Sequence, residues 1–518
     1  MLPSRGLSTV CCNALRLRAR LGTFAARRGL LTLAIESSCD DTSIAIVSKQ
    51  PSGAAKIHFM ENITTDSTAY GGIHPIRALE SHQENLAKLV QKALVHLPLA
   101  SASESQSEIT IDKVVALPDG IRQKPDFISA TRGPGMRSNL FTGLDTAKGL
   151  SVAWQIPFVG VHHMQAHLLT PRLVYATALP NEQQSSSFAM KPEHPSFPFI
   201  SILASGGHTL LVSSSSLTEH TVLATATDTA IGESLDKAAR LILPPSFLAK
   251  AKTTMYGKLL EKFAFPNGPE DYADYKAPAT RADEIARGKV VTESGWSLTI
   301  PFSQTRELAF SFAFLPTAIK DILSGKGKWW GDDESEITED ERRLLARESM
   351  RVCFEHLASR TIIALEELCT PQPSHLPPTY YMSRTSRAKL KPKPNPTILP
   401  IKTLVVSGGV AANSFLMKVL RSFLDARGFK YVEIVAPPPA LCTDNAAMIG
   451  WAGIEMFEAG WRSELSVRAL KKWSLGWEGA EGGERKAGQQ GEEGSGGLLG
   501  VDGWVYVNTQ RSKKGGRS

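Results

Sequence analysis

The sequence is short of three things, and each shortage excludes a class of protein. It has six cysteines in 518 residues, two of them (Cys11 and Cys12) within the first thirty positions. The others, Cys39, Cys353, Cys369 and Cys442, are scattered and form no CxxC pair. That excludes a disulfide framework or a zinc-finger set and suits a reducing compartment. No apolar run approaches the roughly 20 residues needed to span a bilayer, so no membrane partner is expected. Acidic residues are missing from the first thirty positions, which instead carry Arg5, Arg16, Arg18, Arg20, Arg27 and Arg28 among Ser, Thr, Ala and Leu. An arginine-rich, acid-free leader reads as a mitochondrial transit peptide over residues 1–30, the other reading being a basic arm for nucleic acid. The β-prone run that begins at Leu31 favours the first, and with it a place in the mitochondrial matrix.

Removing the leader nearly removes the charge. The formal net charge is +7, six of it from those arginines, which leaves +1 for the rest. Net charge therefore does not mark the body as a nucleic-acid binder, and any RNA contact must come from a local patch. The 42% hydrophobic and 21% charged content is that of a globular protein, and the length exceeds one ordinary core.

What is present is a series of short apolar strands that end in polar or glycine-rich turns. Leu31–Ile35 runs into Glu36-Ser37-Ser38-Cys39-Asp40-Asp41-Thr42-Ser43 and returns as Ile44–Val47, a hairpin with a tip of carboxylates and hydroxyls. Residues 77–96 have a helical pattern. Phe127–Ala130 enters Thr131-Arg132-Gly133-Pro134-Gly135, where glycine and proline force a turn into a helix over about 138–154. Phe199–Ala204 enters Ser205-Gly206-Gly207-His208-Thr209, and Thr403–Val406 enters Ser407-Gly408-Gly409-Val410-Ala411-Ala412-Asn413. Such turns let the backbone approach a ligand and offer N–H groups to phosphate. One of them is common in loops; two, read as one in each half of the chain, suit a nucleotide held in a cleft. Strand, turn and helix recur in this way along the chain. The expected fold is α/β, two halves with a ligand cleft between them. The halves are drawn at 31–170 and 171–475, the second with insertions at about 178–198, 325–345 and 370–400. Residues 476–518, rich in Gly, Glu and Lys, are expected to be a disordered tail.

The stretch Val161-His162-His163-Met164-Gln165-Ala166-His167 follows an apolar run. On a helix His163 and His167 fall on one face, a spacing that suits a divalent metal and also occurs on ordinary helices. The carboxylate of a zinc-protease His-Glu-x-x-His helix is absent, which argues against that hydrolytic route. Asp444, in Cys442-Thr443-Asp444-Asn445 before the last apolar helix, is a candidate third ligand and equally a helix cap.

Six segments occur in order: Ile35-Glu36-Ser37-Ser38-Cys39-Asp40-Asp41-Thr42, Arg132-Gly133-Pro134-Gly135, Val161–His167, Ala204–Thr209, Val406–Asn413 and Thr443-Asp444-Asn445. Together they resemble the tRNA N6-adenosine threonylcarbamoyltransferases, and with the leader the mitochondrial branch of that family. The resemblance spans about residues 31–475. It implies a duplicated actin-like ATPase fold of the sugar kinase and Hsp70 type. It implies transfer of threonylcarbamoyl from threonylcarbamoyl-AMP to N6 of the adenosine beside the anticodon in tRNAs reading codons that begin with A. Carried over by motif, His163, His167 and Asp444 hold one divalent metal per subunit, iron or zinc. Leu203, Ala204, Ser205, Gly206, Gly207, Asp236 and Asn413 contact substrate. Asp40 and Asp41 lie near the reaction centre, with Asp41 the candidate catalytic group, and a homodimer is expected. RNA would meet local cations such as Arg132 and Arg137.

The chain also departs from the pattern. The family's Pro-Gly-Gly turn after the helix bearing Asp236 has only Tyr256-Gly257 to represent it, so Gly257 enters as a weaker substrate candidate. A Ser-Phe-Ser-Gly-Leu-Lys-Thr run is replaced by Ser311-Phe312-Ala313-Phe314-Leu315-Pro316-Thr317. The glutamate expected after Pro75 is Ile76. A sugar-kinase-like ATPase and a non-catalytic nucleotide-binding scaffold are the competing readings, and the first explains the glycine turns but leaves the histidine pair idle.

Overall fold

In the computed structural model the described residues are 29–67, 70, 72–100, 113–179, 193–249, 256–288, 291–293, 295–324, 337–369, 401–476 and 496–508. Residues 1–28 of the leader and the 370–400 insertion lie outside them.

The polar turn after Glu36 is too short for a crossover, so β1 (Leu30–Glu36) and β2 (Asp41–Lys49) pair antiparallel, and β3 (Ala55–Thr64) adds beside β2. The chain then runs through α1 (Pro75–Leu94) and a short ribbon, β4 (Val114–Leu117) with β5 (Gly120–Gln123). It returns as β6 (Phe127–Gly133), parallel to β1, and α2 (Arg137–Trp154) leads to β7 (Phe158–His162), parallel to β6. The first sheet therefore has the order β3-β2-β1-β6-β7. From β7 the chain passes directly into α3 (His163–Ala178).

The second sheet repeats the plan. Strands β8 (Phe199–Ala204), β9 (Thr209–Ser214) and β10 (His220–Thr225) pair antiparallel. Strand β11 (Thr403–Ser407) lies parallel to β8, and β12 (Glu433–Val435) parallel to β11, giving β10-β9-β8-β11-β12. Between β10 and β11 come α4 (Ile231–Ile242), α5 (Pro245–Leu248), α6 (Gly257–Ala264), α7 (Arg281–Arg287), α8 (Phe314–Leu323) and α9 (Glu339–Cys369). The helix α10 (Ser414–Ala426) joins β11 to β12. The largest apolar core lies here, with Phe354, Phe415, Ile202 and Leu235 among its members.

The chain does not divide in two at residue 170, because that position lies inside α3. After α11 (Pro439–Cys442), α12 (Ala446–Glu458) returns to the first sheet and packs on it beside α3. The approach is close. A Cβ on Gly453 would meet Ser129 Cβ at 2.7 Å, and one on Gly450 would meet Val47 Cγ2 at 2.9 Å. Burying an almost wholly apolar helix drives this return more strongly than sequence proximity. The first body thus combines the amino-terminal strands with the last helix.

Three further boundaries shift. Residues 339–345, placed in an insertion, are the first turns of α9. Glu193, near the end of another insertion, bridges Lys49 at 2.6 Å and also meets Arg172. The supposed tail is ordered over residues 496–508: β14 (Trp504–Tyr506) pairs antiparallel with β13 (Trp461–Ser463), and Leu498 is buried in the first body's core. Among the described residues no helix is long and apolar enough to cross a membrane.

Candidate metal centre and active site

The carboxyl end of β7 and the first turns of α3 build the centre. All five residues of β7 are buried, so the strand delivers His162 and His163 into the interior. His162 caps the helix: its Nδ1 accepts from the backbone N–H of Met164 at 3.1 Å and Gln165 at 3.4 Å. One turn later His167 stacks edge-on to His163, ring centroids 4.8 Å apart. Asp444, in the turn before α12, closes the triangle. Its Oδ1 lies 3.0 Å from His167 Nε2 and 3.4 Å from His163 Nε2. One ligand atom from each of the three falls within 4.8 Å of the others. Asp444 does not reach across from the far body, since the helix it precedes packs against α3 itself.

The surroundings fit a cation. Glu36 is fully buried, and its Oε2 lies 3.2 Å from His163 Nδ1. Burial alone would raise the Glu36 carboxyl, but the charge of His163 outweighs it and holds the group below its ordinary value. Burial would likewise raise Asp444, and His163 holds it well below the carboxylate range. Burial opposes charge on His163, yet Asp444 and Glu36 raise it well above an ordinary imidazole. The buried carboxylate of Glu36 and the half-buried one of Asp444 thus demand positive charge at this point. Two imidazole nitrogens and a carboxylate oxygen are a donor set for a divalent transition metal, which supplies that charge.

The acidic hairpin borders the same centre. Asn62 Nδ2 donates to the Asp444 carbonyl at 3.0 Å, and the Ala446 N–H donates to Ser43 Oγ at 2.9 Å. Burial raises Asp40, and it lifts Asp41 to about 7 against the hydrogen bond from Thr64. Behind them His82 is fully buried, with Nδ1 2.7 Å from Thr42 Oγ1 and Nε2 3.1 Å from the Cys39 carbonyl.

Both Ser-Gly-Gly turns belong to the second sheet, correcting the assignment of one to each half. Strands β8 and β11 are parallel neighbours, with Leu203 opposite Ser407, so their carboxyl ends turn side by side. A Cβ on Gly408, at φ +93°, would stand 2.4 Å from the Ala204 carbonyl oxygen. Leu203 and Ala204 are buried, leaving their backbone as the part a ligand could meet. Gly206 and Gly207 face open space, and Ser205 Oγ accepts from His208 N at 3.0 Å. His208, exposed on this turn, sits close enough to His163, His167 and Asp444 to feel their charges.

The other candidates fall into two groups. Asp236 and Gly257 are brought together: Asp236 Oδ1 accepts from the Tyr256 N–H at 2.7 Å and the Gly257 N–H at 2.8 Å. Asn413 caps α10, accepting from Leu416 N at 3.1 Å, so its carbonyl oxygen already has a structural task. Arg132 is buried rather than offered to RNA. Its Nε donates to the Arg468 carbonyl at 3.1 Å, and its guanidinium lies 5.5 Å from the Trp473 ring centroid. Arg137 is exposed. In the altered run, Asp228 accepts from the N–H groups of Phe312 at 2.9 Å and Ala313 at 3.3 Å. Ile76 is exposed. Spacing missed Glu36, His162 and His82, although Glu36 and His162 stood within quoted motifs.

Two imidazoles and a carboxylate at the carboxyl edge of a parallel strand, beside an acidic hairpin, define an α/β protein with a candidate metal centre. Residues 58–451 match the family described as TsaD, tRNA N6-adenosine threonylcarbamoyltransferase, and the chain belongs to that family. It is 31% identical over 467 residues to a mitochondrial tRNA N6-adenosine threonylcarbamoyltransferase of Schizosaccharomyces pombe, covering 88% of each chain. A probable mitochondrial member from Arabidopsis thaliana is 29% identical over 88% of this chain and 76% of its own. A Bartonella bacilliformis member is 28% identical over 86% of this chain and 94% of its own.

Proposed function

We propose that the chain transfers the threonylcarbamoyl group of threonylcarbamoyl-AMP to N6 of the adenosine adjacent to the anticodon in mitochondrial tRNAs reading ANN codons, releasing AMP. The observation that carries this reading is the His163–His167–Asp444 triangle, held by elements of a chain that matches the transferase family over most of its length. Further support comes from the repeated order of the two sheets, which is what a duplicated actin-like fold with a ligand between its halves requires. The mitochondrial names of two relatives and the arginine-rich leader support a place in the matrix. The homodimer remains part of the proposal.

An exocyclic adenine amine is a weak nucleophile because its lone pair is delocalised into the ring. The reaction therefore needs an activated acyl donor and a fixed approach. A new bond forms between N6 and the carbamoyl carbon, and the bond from that carbon to the phosphate oxygen breaks. AMP leaves with the electron pair. The amine proton goes to Asp41, whose burial sets it near neutrality, where a general base works best. The Ser205-Gly206-Gly207 backbone holds the nucleotide end, and Asp236, Gly257 and Asn413 line the substrate region. His163, His167 and Asp444 hold the metal, which when bound supplies Lewis-acid polarisation of substrate oxygens.

The test uses purified protein, threonylcarbamoyl-AMP and an unmodified tRNA transcript, with the product nucleoside measured by mass spectrometry. Wild type should form threonylcarbamoyladenosine, and a His163→Ala, His167→Ala protein should lose both bound metal and product. Full activity and full metal content in the double variant would sink the metal reading. No product from wild type, with ATP turned over instead, would favour the kinase-like alternative.

A further inference from the structure

The carboxyl-terminal segment touches the metal helix through one histidine that the proposed reaction does not use. His162 is fully buried at the junction of β7 and α3. Its Nδ1 faces two backbone N–H donors, those of Met164 and Gln165, so that nitrogen must carry a lone pair. The ring proton then sits on Nε2, which lies 3.0 Å from the Trp473 carbonyl oxygen. One tautomer satisfies both ends. The indole of Trp473 also packs on the imidazole, with ring centroids 4.5 Å apart.

Trp473 is itself held from behind. Its Nε1 donates to the Gly497 carbonyl at 3.3 Å, and Trp504 Nε1 donates to the Leu498 carbonyl at 3.2 Å. Trp504 belongs to β14, which pairs with β13, and Ser463 of β13 accepts from the Gly160 N–H of β7 at 2.9 Å. Two residues beyond Trp473, Leu475 packs with Met164 and Leu168 of α3. The segment thus grips the strand and helix that carry His163 and His167 at three places. All of it lies beyond residue 451, where the family match ends.

We propose that His162, locked by the Trp473 carbonyl, is a positioning residue for the metal centre, and that residues 461–476 and 496–508 act through it. The first two turns of α3 contain both metal-ligand candidates. Its rotation about the helix axis decides whether their Nε2 atoms converge on Asp444, and a fixed cap sets that rotation. The inference rests on the metal reading of His163, His167 and Asp444.

The test titrates Co2+ into metal-free full-length protein against a chelator and records the visible spectrum at saturation. His162→Leu removes all three hydrogen bonds. His162→Asn keeps an acceptor for the helix but is too short to reach the Trp473 carbonyl as well. The Co2+ Kd should rise about 10- to 100-fold in the leucine variant and by a smaller factor in the asparagine variant, with altered visible bands in both. A Leu89→Ala protein, destabilised in α1 on the other face of the sheet, should keep the wild-type Kd and bands. Wild-type Kd and spectrum in either folded His162 variant would overturn the proposal, as would equal metal loss in the Leu89→Ala control. If the leucine variant does not fold, the asparagine variant decides. Failure of the wild-type protein to bind Co2+ would remove the underlying metal reading instead.

Discussion

Glu36 Oε2 lies 3.2 Å from Nδ1 of His163, across 127 residues of chain, with the carboxylate fully buried. The carboxylate is held by donors on both oxygens. Ser38 N–H donates to Oε1 at 2.6 Å, and Thr131 Oγ1 donates to Oε2. With Nδ1 so engaged, His163 Nε2 faces Asp444. A Glu36→Gln amide would remove the negative charge and leave one acceptor oxygen in place of two. The expected outcome is metal binding weakened about 10- to 100-fold, measured by chelator competition. Unchanged affinity would show that Glu36 does not orient His163.

Asp41 should make both stability and rate depend on pH. Its folded value, about 7, is above the ordinary 3.8. Between those values the folded protein keeps a proton that the unfolded chain has lost, so stability falls as pH rises through that window. In metal-free protein the Tm advantage of Asp41→Asn over wild type should therefore grow from about pH 4 to 7 and level off above. The wild-type single-turnover rate should rise with pH through about 7 and vanish in the variant. A Tm difference independent of pH would refute the raised value.

Arg132 should matter for stability and not for RNA. Truncation to Ala removes a charged hydrogen bond and a cation–π contact, a loss of about 3 kcal/mol. The expected result is a lower denaturation midpoint with an unaltered Kd for tRNA, the two measured on the same preparation. Weaker RNA binding at unchanged stability would reverse this assignment.

Asn413→Ala separates two tasks of one side chain. Loss of the α10 cap should cost about 1 kcal/mol. If Asn413 also contacts substrate, KM for threonylcarbamoyl-AMP rises, while Asn413→Asp, which keeps the cap, restores stability but not KM. Restoration of both by Asp would leave Asn413 a cap only.

Much of this protein was legible locally. Apolar runs marked β1, β8 and β11 within a residue or two, because a buried strand must be apolar along its own length. The i, i+4 spacing of His163 and His167 would place both on one face of a helix, and α3 is that helix. Position left Asp444 open between ligand and helix cap, and the resemblance to the transferase family favoured the ligand.

What local pattern could not supply were pairings set by packing. Both glycine turns lie in one sheet because β11 chose β8 as its parallel neighbour across about 200 residues. The helix after Asp444 returns to the first sheet because its apolar surface fits there, with Gly450 and Gly453 permitting close contact. Arg132 turned inward because the strand edge beside it is covered by residues 468–473, whose position depends on that return. Glu36 and His162 gained their roles the same way. Sequence alone determined which residues could ligate a metal and which segments could be strands. Only the tertiary structure decided which buried carboxylate orients which imidazole, because that choice is made by long-range burial and not by spacing along the chain.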